Sequence, residues 1–211
     1  MRFVAPAIAL VTALHGCSAG TSDSATARRP GFGALLAEAG MEFSMPPDFV
    51  PATPANEPAM ATEYAIRHRD IELEIRYAIR PIDRMVVEYD DPHGLAPDPD
   101  TLYPLMFRAL VERISTDFAP QSEFDSTMAQ REFGADWGNA AVVSTGPHFG
   151  RGYDYCLILM LHKSHTADAY AFYLFQGESK HRAMPLITDA LHALRFLPTN
   201  SSATDPIAGR P

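Results

Sequence analysis

Two groups of strands, separated by one long amphipathic helix and followed by a second helix, predict an α+β fold: a mainly antiparallel sheet flanked by helices, an α/β/α-like sandwich in a single domain. Three stretches carry this expectation. Between Ile71 and Arg80, Ile71, Leu73, Ile75, Tyr77 and Ile79 alternate with Glu72, Glu74, Arg76 and Arg80, the period-two pattern of a long strand with one buried and one wet face. From Leu102 to Phe118, apolar residues recur at spacings of three and four, the pattern of an amphipathic helix. Tyr153 to His162 and Asp168 to Phe175 are apolar on both faces, as central strands covered from above and below must be.

The chain has 211 residues, 46% of them hydrophobic and 20% charged, enough for one core of ordinary size. Asp and Glu number 26 against 17 Lys and Arg, a net charge of -9 that disfavours nucleic acid and anionic lipid headgroups as partners. No apolar run has the roughly 18 residues a bilayer span requires.

Met1-Arg2, the apolar run Phe3 to Leu14 and the site Leu14-His15-Gly16-Cys17 follow the three-part order of an export signal. This segment resembles a bacterial lipoprotein signal. The resemblance implies cleavage before Cys17, a diacylglycerol group on its sulfur and acylation of the new amino terminus, hence stable membrane anchoring by more than one chain. Because Ser18, not Asp, follows Cys17, it also implies the periplasmic side of the outer membrane. The alternative is a secreted or periplasmic protein cleaved near Ala19. Residues 1–16 are therefore expected to be a signal peptide, and 17–40 a flexible tether rich in Ser, Thr, Ala and Gly. Residues 41–197 would form the globular domain and 198–211 a disordered tail.

Within the domain, Met41 to Met45 predicts a short edge strand ended by Pro46-Pro47, and Phe49 to Pro58 a loop. Thr62 to His68 is separated by only Arg69-Asp70 from the long strand, which predicts a hairpin. Met85 to Tyr89 has strand character, and the Pro- and Asp-rich run Asp90 to Asp100 is a turn-forming segment in which Asp100 or Thr101 is placed to cap the long helix. Ser126 to Phe133 predicts a short helix ended by Gly134, Ala140 to Thr145 a strand, and Lys163 to Ala167 a hairpin turn. Met184, Ile187, Leu191 and Leu194 form a last helical stripe, with Pro185 expected in its first turn. This order of elements across Met41 to Leu197 resembles the PsbP-like fold, whose members are mostly extrinsic assembly or binding factors.

Among residues with chemistry to offer, His162 and His165 flank a strand end, with Asp168 three residues further and His148 a more distant imidazole, a weak set of transition-metal ligands. Asp90, Asp91, Asp98 and Asp100 lack the odd-position spacing of a calcium loop and serve better as turn and helix caps. Asp90, Asp91 and His93, with Asp136 and the single tryptophan Trp137, are the candidates for a binding surface. Cys156, in an apolar run, is expected to be a buried core residue. No G-x-S-x-G, H-E-x-x-H, P-loop or dinucleotide fingerprint occurs, so no catalytic residue and no cofactor is assigned. The expectation is a lipid-anchored envelope protein that binds a partner or assists assembly, the alternative a metal-dependent or other periplasmic hydrolase.

Overall fold

The computed structural model describes residues 31–86, 97–146, 149–150 and 152–198. Cys17, Asp90, Asp91, His93 and His148 lie outside them, as do the expected signal peptide and most of the expected tail. Strands are β1 (Met41–Phe43), β2 (Phe49–Ala52), β3 (Tyr64–His68), β4 (Leu73–Pro81), β5 (Gln121–Glu123), β6 (Trp137–Ser144), β7 (Tyr155–Lys163), β8 (Ala167–Phe175) and β9 (Leu194–Phe196). Helices are α1 (Phe32–Glu38), α2 (Ile82–Val86), α3 (Tyr103–Ile114), α4 (Ser126–Phe133) and α5 (Lys180–Ala190). A seven-stranded sheet runs β2-β3-β4-β8-β7-β6-β5 with every neighbouring pair antiparallel, and β1 and β9 form a separate antiparallel pair. This is the α+β sandwich expected from the sequence.

All nine residues of β8 are buried, because helices cover both sheet faces. On one face, Ile75, Tyr77, Ile79, Tyr173 and Phe175 pack with Leu35, Phe133, Ile187 and Phe196. On the other, Ile158, Met160, Phe172 and Leu174 pack under Phe107, Leu110, Val111 and Ile114 of α3. The second face of β4, expected to be wet, is covered as well. Arg76 is buried against Glu57 at 2.8 Å, Arg80 pairs with Glu63 at 2.9 Å, and Ala59 and Met60 join the core beneath α3. The segment between β2 and β3 thus lies over the charged side of the strand, and ion pairs take the place of water there.

Other elements depart from expectation. Phe49–Ala52 is an edge strand, where Pro51 is tolerated because the outer side needs no ladder donor. Met85 belongs to a short helix that follows Pro81. Neither Asp100 nor Thr101 caps α3: its N-cap is Leu102, with Pro104 in the first turn, while Asp98 accepts the Asp100 amide and caps a 3-10 turn, Pro99–Thr101. Pro185 sits inside α5, and Leu194 has left the helix for β9. β6 begins at Trp137, earlier than expected. Helix α1 falls in the stretch assigned to the tether, yet Leu35 and Ala39 are buried in the core. Among the described residues no helix is long and apolar enough to cross a membrane.

Candidate functional site

The β7–β8 hairpin sets His162 directly opposite Asp168 in the register, and their side chains share the sheet face beneath α3. Both residues are only 1% exposed. His162 Nδ1 lies 2.8 Å from Asp168 Oδ1. The imidazole is stacked under Tyr103, ring centroids 4.0 Å apart, and Tyr103 in turn lies 4.9 Å from the Trp137 ring. Aromatic walls therefore fix the orientation of the histidine ring. Its far nitrogen, Nε2, is buried without a hydrogen-bond partner and faces Asp100 Oδ1 at 3.7 Å.

Asp100 is brought here by the 3-10 turn before α3 and held by the β7–β8 turn. Its Oδ1 accepts the His165 backbone N–H at 2.8 Å, and its Oδ2 lies 3.0 Å from His165 Nδ1. His165 occupies the left-handed region at φ 56° and projects its ring, 86% exposed, over the site. Asp136 closes the turn by accepting the Ser164 N–H at 2.9 Å. Burial pushes the Asp168 carboxyl above its ordinary range; the Asp100 charge adds to this and the His162 hydrogen bond opposes it. The result is a chain from a buried carboxylate through an imidazole to a second carboxylate and an exposed imidazole.

Of the residues singled out in the sequence, His162, His165 and Asp168 meet here, and Asp136 braces the same turn. Trp137 is buried against Tyr103 and Phe107, a wall of the site in place of an exposed anchor. Asp100 was expected chiefly as a cap or turn carboxylate of the acidic loop, which the hydrolase alternative set near His162 and Asp168. Among the described residues, no three His, Cys, Asp or Glu side chains converge on a common metal position as they stand.

Cys156 is fully buried in the core beneath α3, and burial pushes its thiol far above the ordinary range, so it is a packing residue. A second buried polar group lies farther along the sheet. There Glu57 accepts from Arg76 and, at 3.2 Å, from the Gly150 N–H, while Glu74 contacts Arg76 at 2.5 Å and Tyr153 Oη at 3.4 Å. At the end of the sheet opposite His162, an open cleft of about 540 Å³ is lined by Arg67, Arg69, Asp70, Glu72 and Gln176 among others.

No protein-family model and no curated protein matches the sequence. Among solved structures, the chain is similar to the solution structure of cyanobacterial PsbP (CyanoP) from Synechocystis sp. PCC 6803. The identity is 12%, the TM-score 0.39, and the match covers 75% of this chain and 88% of that one.

Proposed function

We propose that this chain is a lipid-anchored cell-envelope protein that works by binding, as an assembly factor or carrier, without catalysing a reaction. The observation that supports the binding role is the outer side of α3. Leu105 is 60% exposed and Met106 lies exposed beside it, while Phe118, just beyond the helix, is 95% exposed. These residues belong to the apolar stripe expected to face the core, together with Leu110 and Ile114; the core takes Leu110 and Ile114 with Phe107 and Val111, and leaves Leu105, Met106 and Phe118 outside. Apolar side chains left in water next to a completed core are what a partner surface requires. The anchor rests on the pattern ending in Cys17, and the net charge of -9 favours a basic or neutral partner.

A photo-crosslinking amino acid placed at position 105 or 118 in cells tests the binding role, with position 123 on the exposed strand β5 as control. One recurrent protein captured from 105 and 118, not from 123, and lost when Met106 is changed to Glu, is the expected result. No crosslink above the control would overturn it. Cys17→Ala is expected to move the protein out of the membrane fraction; retention there would remove the anchor from the proposal.

The hydrolase alternative has one observation in its favour, the Asp168–His162 pair, which resembles the orienting half of a general-base arrangement. Its free nitrogen, however, faces the carboxylate of Asp100 and not a hydroxyl or thiol. Only a metal-dependent version of that reading would make use of this geometry.

A further inference from the structure

We infer that His162 Nε2 and Asp100 Oδ1, with His165 drawn in from the hairpin turn, form a site for one divalent transition-metal ion of the zinc class. This site is separate from the α3 surface of the proposed function and does not depend on it. The inference starts from the unpartnered nitrogen. Asp168 Oδ1 lies 2.8 Å from Nδ1, and the tautomer that donates Nδ1–H to this carboxylate carries its lone pair on Nε2. Nε2 faces a second acceptor, Asp100 Oδ1, at 3.7 Å, beside the Tyr103 ring that stacks on the imidazole. Two acceptors facing one another in a buried place repel unless positive charge stands between them.

The distance leaves room for an ion. An N–H···O hydrogen bond spans 2.7 to 3.2 Å, so at 3.7 Å no hydrogen bond bridges the pair. An ion held about 2.0 to 2.1 Å from each atom does, at a ligand–metal–ligand angle of about 130°. The surroundings are those a metal-binding imidazole needs: its other ring nitrogen is hydrogen-bonded to a carboxylate, which fixes the tautomer and raises the basicity of the ligating nitrogen. Asp100 is likewise held in place, since Oδ1 accepts the His165 N–H and still has a lone pair to offer.

The third ligand is not yet in position. His165 is exposed, and its Nδ1 is occupied with Asp100 Oδ2 at 3.0 Å, so its side chain must leave that contact and turn inward to complete the site. Two imidazoles and one carboxylate favour zinc, cobalt or nickel over calcium and magnesium, which take oxygen ligands.

The test uses the full-length, untagged protein, stripped with a chelator, and the metal alone. Calorimetry with Zn²⁺ is expected to show one equivalent bound, and Co²⁺ to give the intense visible bands of a four-coordinate ion. Asp100→Asn and His165→Ala, each checked by circular dichroism for folding, should weaken Zn²⁺ binding by about tenfold or more. His162→Gln should abolish it, and because that residue is buried the two other variants decide if it fails to fold. Absence of Zn²⁺ binding by the unmodified protein overturns the inference. So does unchanged affinity in Asp100→Asn or in His165→Ala, which would place the ion on other imidazoles of the eight in the chain.

Discussion

Glu57 and Arg76 are both buried, and their 2.8 Å contact leaves neither charge to water. Removing one member of such a pair strands the other, so Glu57→Ala is expected to cost about 3 kcal/mol in urea unfolding. Replacing both, as Glu57→Leu with Arg76→Met, should cost less than the sum of the single changes. A neighbouring residue gives the apolar counterpart: Ile75 is fully buried on the opposite face of β4, and Ile75→Asp is expected to cost about 4 kcal/mol or to prevent folding. From alternation alone, Glu74→Gln should be silent. The 2.5 Å contact of Glu74 with buried Arg76 changes that expectation to a loss of about 1 kcal/mol, and a silent result would mean that the ion pair contributes nothing.

Helix α4 spans the residues expected from the sequence and stops at the expected Gly134, while its N-cap is seen only in the structure. Asp125 caps it by accepting the N–H groups of Thr127 and Met128, and Gly134 ends it at φ 63°. Asp125→Ala is expected to lose about 1 kcal/mol. Gly134→Ala should lose more, about 2 kcal/mol, because the backbone is left-handed and an added Cβ would fall 2.5 Å from the Phe196 carbonyl oxygen. Equal losses in thermal melts would mean that the β9 contact gives way freely. The strands β3, β4, β7 and β8 were legible for the same local reason: period and turn residues lie within each hairpin. Helix α3 was placed correctly and its core face half correctly: Leu110 and Ile114 of the expected stripe are buried, but Phe107 and Val111 join them where Leu105, Met106 and Ala109 were expected, because both sets repeat at helical spacing and only the sheet beneath selects between them. β2 escaped notice because it is short, contains Pro51, and gains strand character only from pairing with β3. The histidine site was half legible. His162 and Asp168 are hairpin neighbours, whereas Asp100 joins them from 65 residues before His165, a separation that no local pattern bridges.

Across the whole molecule, tyrosines give the clearest pH dependence. Tyr77, Tyr170 and Tyr173 are buried, and burial pushes their phenols well above the ordinary value of about 10; Tyr153 is pushed up to about 12, chiefly by burial and the charge of Glu74. A folded-state pKa above the unfolded one means that stability is unaffected below the unfolded pKa and falls as pH rises beyond it. Melting temperature should therefore decline above about pH 10, with tyrosinate absorbance from Tyr77, Tyr170 and Tyr173 rising only together with unfolding. A simple titration of all eight tyrosines near pH 10 in the folded state would contradict the burial. The pairing of β1 with β9 bears on the order of events during biosynthesis. Met41 lies opposite Phe196, and the Leu197 N–H donates to the Gly40 carbonyl oxygen, so these residues must wait for partners made far later in the chain. The centre of the sheet has the same character, with Leu73 opposite Phe175. A chain emerging from a ribosome or a translocation channel cannot complete this ladder until Phe196 is out, and loop closure over such distances is slow. Completion of the fold should thus wait for Leu194–Phe196, and a chain halted before Leu194 should remain protease-sensitive through Met41–Phe43 while its longer hairpins gain protection.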